Sequence, residues 1–312
     1  MNEVTIYPGS LTGEVFIPAS KSISHRAVIC AGLSKGISNI NNVGISQDIE
    51  ATIEALKSLG IAVKKAAFSL RVKGSAVSEL NSSGIHCHES GSTLRFIVPI
   101  AALMSKPVAF YGEGRLVERP LAPYLSLFKK QGIKFETDGG KLPLHINGRL
   151  VPGEYQLEGN ISSQFISGLM FALPLLEGDS LITVTTEPES KPYIDLTLKV
   201  LRDFSIHIEN HDYRTFIIKG RQKYRGLDYT VPGDFSQAAF WLAAGTLGSE
   251  VICKGLDMDS LQGDKSVMDI IGEMGGRIVI KAGAVSSLPA DTRGTVIDVS
   301  QCPDLVPISA IL

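Results

Sequence analysis

The chain has 312 residues, 44% of them hydrophobic, and a formal net charge of -2, which suits two packed domains and excludes a general pull toward nucleic acid or an anionic membrane. Its four cysteines, Cys30, Cys87, Cys253 and Cys302, are far apart with no Cys-x-x-Cys pair, which excludes a disulfide frame or zinc site and reads as reduced, buried thiols of a cytoplasmic protein. There is no signal peptide pattern and no apolar run long enough to span a bilayer.

The first element is a strand over 14–17, by its alternation. It leads into Pro18-Ala19-Ser20-Lys21-Ser22-Ile23-Ser24-His25-Arg26 and an apolar helix over 22–33. A helix start presents unpaired N–H groups and the positive end of a dipole, so it attracts anions. Cations are disfavoured there, so Lys21 and Arg26 fit a site where a bound anion compensates them; a serine cap with two solvated cations is the simpler alternative. His25 reads as a junction or surface histidine. A strand over 37–41, a helix over 47–59 stopped by Gly60, and strands over 61–64 and 69–72 complete the unit.

The same order, strand-helix-strand-helix-strand-strand, recurs. A second unit has strand 84–88, helix 92–104, strand 108–111, helix 122–130 closed by Gly132, and strands 133–137 and 144–147. A third has strand 155–157, helix 163–176, strand 181–185, helix 192–204, and strands 206–209 and 215–219. The fourth has strand 228–231, helix 236–247, strand 251–255, helix 266–274, and strands 277–280 and 295–299. Pro303-Asp304 reads as the helix start of a fifth unit, with 308–312 as the first turns, where the sequence stops. The spacing is roughly 70 residues. Each unit turns from strand to helix through small or polar residues, and several helix starts converging on one cleft is the expectation.

Those turns carry the candidate chemistry. Gly91 in Glu89-Ser90-Gly91-Ser92-Thr93-Leu94-Arg95 permits close approach of backbone to ligand. In Gly112-Glu113-Gly114-Arg115-Leu116-Val117-Glu118-Arg119-Pro120 the arginine fork of Arg119 suits a carboxylate or phosphate, whereas Arg115 reads as solvated. Ser162-Ser163-Gln164 could bind phosphate at a helix start, or simply cap it, and Ser190-Lys191-Pro192-Tyr193 repeats the theme. Asp48, Asp234 and Asp304 read as helix-start acids. His86 and His88 would share a strand face, but no third ligand stands nearby. Trp241 reads as core. Walker A, Gly-x-Gly-x-x-Gly and Gly-x-Ser-x-Gly patterns are absent from the sequence.

Taken together, Pro18-Ala19-Ser20-Lys21-Ser22-x-Ser24-x-Arg26, Gly91-Ser92-Thr93-Leu94-Arg95, Glu118-Arg119-Pro120-Leu121, Ser162-Ser163-Gln164-Phe165, Ser190-Lys191-Pro192-Tyr193-Ile194-Asp195 and Gly233-Asp234 resemble the 5-enolpyruvylshikimate-3-phosphate synthase family, in its order and over essentially the whole chain. The resemblance implies an α/β, two-domain enolpyruvyl transferase fold of βαβαββ units. One complete domain would span 21–232, and a partial second would combine 1–20 with 233–312. It implies transfer of the enolpyruvyl group of phosphoenolpyruvate to the 5-hydroxyl of shikimate 3-phosphate, with release of phosphate. By position, Lys21, Ser22, Arg26, Ser162, Ser163, Gln164, Ser190, Tyr193 and Asp304 would line the shikimate 3-phosphate site. Lys21, Gly91, Arg119 and Gln164 would hold phosphoenolpyruvate. Asp304 and Lys21 would be catalytic, Asp304 as the base. No cofactor or metal, no nucleic acid or membrane partner, and a monomer are expected.

Two departures stand out. Glu89-Ser90 replaces the family's Asn-Ala or Asn-Ser, which leaves the phosphoenolpyruvate contacts there open. The family's C-terminal part, with a glutamate proton donor, two arginines and a lysine, is not in the sequence, so weak or absent turnover is the expectation. The alternatives are a non-catalytic fragment that binds shikimate 3-phosphate and the related transferase acting on a UDP-amino sugar, whose loop carries a cysteine that 112–120 lacks. An RNA-end-processing relative of the same fold is disfavoured by the lack of a basic surface.

Overall fold

The computed structural model describes residues 3–7, 9, 11–77, 80–281 and 283–312. They form two compact units, an inserted unit of Ser20–Val231 and a split unit that joins the described part of Met1–Ala19 to Pro232–Leu312. In chain order, β1 (Gly13–Phe16) precedes α1 (Lys21–Leu33), β2 (Gly36–Asn41), α2 (Gln47–Ser58), β3 (Ala62–Ala66) and β4 (Ser69–Gly74). Next come β5 (Ile85–His86), α3 (Gly91–Ala101), β6 (Val108–Tyr111), α4 (Ala122–Gln131), β7 (Lys134–Asp138) and β8 (Lys141–Asn147). Then follow β9 (Glu154–Leu157), α5 (Ser163–Ala172), β10 (Ser180–Val184), α6 (Lys191–Asp203), β11 (Ile208–His211) and β12 (Thr215–Ile218). The last group is β13 (Asp228–Thr230), α7 (Phe235–Leu247), β14 (Val251–Lys254), α8 (Val267–Glu273), β15 (Arg277–Lys281), β16 (Ala284–Leu288) and α9 (Val306–Ser309).

The inserted unit holds three sheets, ordered β13-β2-β4-β3, β5-β6-β8-β7 and β11-β12-β10-β9, and the split unit holds one, β1-β14-β16-β15. Each joins one parallel pair to antiparallel neighbours. The opening strands are exchanged relative to the consecutive reading of the sequence. β13 pairs with β2 (Asp228 opposite Asn39), completing the first sheet, while β1 pairs with β14 (Gly13 opposite Val251), completing the fourth. Alternation marks a strand but carries no information about its partner.

In the inserted unit α1, α3 and α5 are apolar almost all round and lie inside. α3 packs on α5 and α2, and α6 on α1 and α5. α2 and α6 bury one face each, Ile49, Ile53 and Leu56 on the first and Ile194, Val200 and Leu201 on the second. Gly60 (φ +83) and Gly132 (φ +69) end α2 and α4 in the left-handed conformation that favours glycine.

Four expectations are corrected. The strand over 295–299 does not form, and the partner of β15 is β16. Val296 is 96% exposed, while Ile297 and Val299 pack against the split unit's core without sheet bonds. Trp241 is 37% exposed, because the buried side of α7 is Phe235, Ala238, Ala239, Leu242 and Ala243. His25 is not a surface residue but 1% exposed. The strand over 84–88 shrinks to two residues, since His88 adopts φ +48 and leaves the ladder, so His86 and His88 do not share a strand face.

Candidate active site

Within the inserted unit the candidate residues lie in the first turns of α1, α3, α5 and α6, except Arg119, which ends the 3-10 turn Gly114–Glu118. Local chemistry fixes each start. Ser20, Ser90 and Ser162 are N-caps whose hydroxyls accept from the backbone N–H of Ile23, Thr93 and Gln164. Ser190 differs, with φ +56 and no side-chain cap bond. Asp48 is not a cap; Ser46 caps α2, accepting from Ile49 N at 3.3 Å.

The starts of α3 and α5 meet. Gln164 Oε1 accepts from Arg95 Nη1 at 2.5 Å, and Gln164 Nε2 donates to Ser92 Oγ at 2.8 Å. Arg119 lies over Gly91, so that a Cβ there would come within 2.8 Å of Arg119 Nη1 and 3.6 Å of Arg95 Nη1. Arg95 also stacks on Phe165, 5.1 Å from the ring centre. Burial, reinforced by the charge of Arg119, lowers the Arg95 pKa. Gly91, Ser92, Arg95, Arg119 and Gln164 therefore form one cluster of two guanidinium groups, a hydroxyl and an amide at two helix starts, where a small anion is favoured.

Lys21 and Arg26 take different positions. Lys21 is exposed and pairs with Asp48 at 3.0 Å, so a carboxylate of the protein already compensates it. Arg26 is 2% exposed, contrary to a solvated reading. It donates to Thr197 Oγ1 (2.8 Å), Ser22 O (2.7 Å) and Tyr193 O (3.0 Å) and lies over Phe96, 5.2 Å from the ring centre. Burial lowers its pKa to about 10. Arg26 thus braces the turns carrying Ser22 and Tyr193, and Ser167, bonded to Thr197 at 2.8 Å, extends the brace to α5.

A hydroxyl relay backs the helix starts. His25 Nδ1 is 2.8 Å from Thr52 Oγ1, Thr52 Oγ1 is 2.7 Å from Thr93 Oγ1, and Thr93 Oγ1 donates to Ser90 Oγ at 2.8 Å. Burial lowers the His25 pKa to about 3, so the ring is neutral. Arg95, Ser92, Thr197 and Asp48 were not among the residues assigned to the site from sequence. For Arg95 the signal was present, a cation in the first turn after a glycine. Asp48 and Thr197 act through partners 27 and 171 residues away, and nothing local marks them.

The split unit has its own helix-start cluster. Asp234 caps α7, accepting from Ser236 N at 2.9 Å. Asp264, 4% exposed, accepts from Ser236 Oγ at 2.5 Å, and its other oxygen, buried, has no hydrogen-bond partner. Burial, followed by the charges of Asp304 and Asp234, pushes its pKa up to about 6. Asp304 itself stands exposed in the 3-10 turn Pro303–Leu305.

The fold is shared with solved enolpyruvyl transferases. It matches EPSP synthase from Acinetobacter baumannii with a TM-score of 0.80 at 22% identity, over 96% of this chain and 70% of that one. The enolpyruvyl transferase NikO from Streptomyces tendae follows at 0.72 and 19%, over 96% and 73%. The chain belongs to the EPSP synthase (3-phosphoshikimate 1-carboxyvinyltransferase) family, whose profile matches residues 6–312. The 3-phosphoshikimate 1-carboxyvinyltransferase of Clostridium kluyveri is 53% identical over all of this chain and 73% of its own length. That of Clostridium novyi is 50% identical over all of this chain and 74% of its own length.

Proposed function

We propose that this chain acts in the reaction its family name describes, moving the 1-carboxyvinyl group of phosphoenolpyruvate onto shikimate 3-phosphate. The 5-hydroxyl oxygen forms the new bond to carbon, the bond from carbon to the phosphate oxygen breaks, and inorganic phosphate leaves. Asp304 takes the hydroxyl proton as a general base. Both substrates are anions, so the binding groups must be cations, hydroxyls and helix starts.

The observation that carries this reading is the Gly91, Ser92, Arg95, Arg119 and Gln164 cluster. Gly91 lets an anion approach the α3 backbone, and Arg119 and Arg95 supply two forks for its phosphate and carboxylate. Gln164, bonded to Ser92 and Arg95, is assigned to both substrates. Ser22, Ser162, Ser163, Ser190 and Tyr193 hold shikimate 3-phosphate, with Arg26 fixing the Ser22 and Tyr193 turns. Lys21, freed from Asp48 by an incoming phosphate, serves both substrates. The protein works in the cytoplasm as a monomer.

Calorimetry on the full chain, paired with a phosphate-release assay, tests the reading. Saturable binding of shikimate 3-phosphate, then of phosphoenolpyruvate, with phosphate released only when both are present, is the expected result. Binding of shikimate 3-phosphate without phosphate release would leave a binding protein in place of an enzyme. No binding of either at millimolar concentration would overturn the proposal.

A further inference from the structure

The turn before α3 carries a histidine that the reaction does not use. His88 Nδ1 lies 2.8 Å from Glu113 Oε1, and His88 Nε2 lies 2.8 Å from Glu54 Oε2. A carboxylate only accepts hydrogen bonds, and a neutral imidazole carries a single N–H. Both contacts are therefore hydrogen bonds only when the ring is the doubly protonated imidazolium. The two acceptors belong to different parts of the inserted unit. Glu54 is on α2, and Glu113 begins the loop that runs through the 3-10 turn Gly114–Glu118 to Arg119.

That loop leans on the His88 turn. Glu113 N donates to His88 O at 2.9 Å, and Cys87 N donates to Tyr111 O at 2.8 Å. Gly114 has φ +55, and a Cβ on it would collide with the Glu89 carboxylate, so Glu89, the departure from the family pattern, packs directly against the loop. Of the turn Gly114–Glu118, only Leu116 is buried. At the far end Glu118 pairs with Lys141. His88 itself sits at φ +48, a conformation non-glycine residues keep only when their surroundings demand it.

We propose that His88 is a proton-dependent clasp, a positioning residue that holds the Arg119 loop against α2 when protonated and slackens it when neutral. This rests on the reading of Arg119 as a phosphoenolpyruvate ligand. The charged groups against the ring are Glu54 from α2 and Glu113 from the loop, and Glu89 follows His88 in the turn with its carboxylate at Gly114. The hydrogen bonds to Glu54 and Glu113 raise its pKa above the ordinary 6.5. The sign follows. The clasp is closed below the raised pKa and loses one of its two bridges as the pH climbs through it.

Amide hydrogen exchange over residues 113–119 of the full chain, corrected for the intrinsic rate at each pH from 6 to 9, tests this. Protection in the wild type should fall about three-fold across the transition, the scale of exposed ion pairs. His88→Gln should show the lower, high-pH protection throughout, and His88→Lys, charged over the whole range, should keep the higher protection with no pH step. Phosphoenolpyruvate affinity, measured by calorimetry, should be about three-fold weaker in His88→Gln than in wild type at pH 6 and equal at pH 9. A wild-type loop whose protection does not change with pH, or a His88→Gln profile that overlays it, overturns the clasp. If the exchange pattern appears but no variant binds phosphoenolpyruvate, the clasp stands and the assignment of Arg119 falls.

Discussion

The helix starts of the inserted unit and the start of α7 in the split unit share one local plan and opposite charge. α3 and α5 begin at neutral serine caps, with Arg95, Arg119 and Gln164 gathered beside them. α7 begins at Asp234, with Asp264 bonded to Ser236 of its first turn. A carboxylate cap supplies the helix dipole with its own anion, whereas a hydroxyl cap leaves it available to an anionic ligand. The fold provides the same backbone N–H groups in both places. The side chains decide whether that positive end is already answered from within the chain or left for a substrate.

The sharpest way to break this contrast is Arg26→Ala. It would remove three buried charged hydrogen bonds and the packing over Phe96, while Thr197 Oγ1 keeps its bonds to Tyr193 O and Ser167 Oγ, so we expect a loss of about 3 kcal/mol in urea unfolding. A loss under about 1 kcal/mol would show that Arg26 is no brace.

The second test uses acid, to which the two regions should respond in opposite senses. His25 is depressed from 6.5 to about 3 in the folded state. Its contribution is complete above pH 6.5 and is lost at about 1.4 kcal/mol per pH unit as pH falls toward 3. Asp264 is raised from 3.8 to about 6. Its penalty is full above pH 6, about 3 kcal/mol, and disappears by pH 3.8. Hydrogen exchange of α1 and α2 should report the first. Trp241, the sole tryptophan and part of the split unit, should report the second by fluorescence. Asp264→Asn should stabilise that unit at pH 7 and abolish its response to acid.

Gly91→Ala probes the anion-binding side without unfolding it. The new methyl meets the end of the flexible Arg119 side chain, not backbone. Stability should hold to within about 1 kcal/mol, while phosphoenolpyruvate affinity should fall about ten-fold, as expected for one displaced charged hydrogen bond. Unchanged affinity would detach Gly91 and Arg119 from the ligand. The smallest effect belongs to Ser162→Ala, which removes a cap for about 1 kcal/mol of stability. Ser162→Asp should restore that stability but weaken shikimate 3-phosphate binding, since it would give α5 the acidic cap of α7.

Much of this was legible in the sequence because helix capping is local. The strand-to-helix junctions place Ser20, Ser90, Ser162 and Asp234 at caps, and the glycine stops at Gly60 and Gly132 follow from their left-handed backbone. Long-range choices were not legible. Strand alternation could not show that β1 and β13 exchange sheets, and the alternating run at 295–299 resembles a strand yet pairs with no strand among the described residues. Arg95 and Gln164 are 69 residues apart and become one unit only through packing of α3 on α5. His25 and Trp241 were misplaced for a related reason. Residue type sets an average burial, while the partner helices and sheet decide which face is covered.

The exchanged strands also set an order of events during synthesis. β1 leaves the ribosome first, yet its neighbour β14 lies more than two hundred residues later, at Val251–Lys254. The whole inserted unit can collapse and settle in that interval, while β1 stays a bare strand edge open to foreign pairing. Its brevity, four residues with Glu14 exposed, limits that hazard until its proper neighbour emerges.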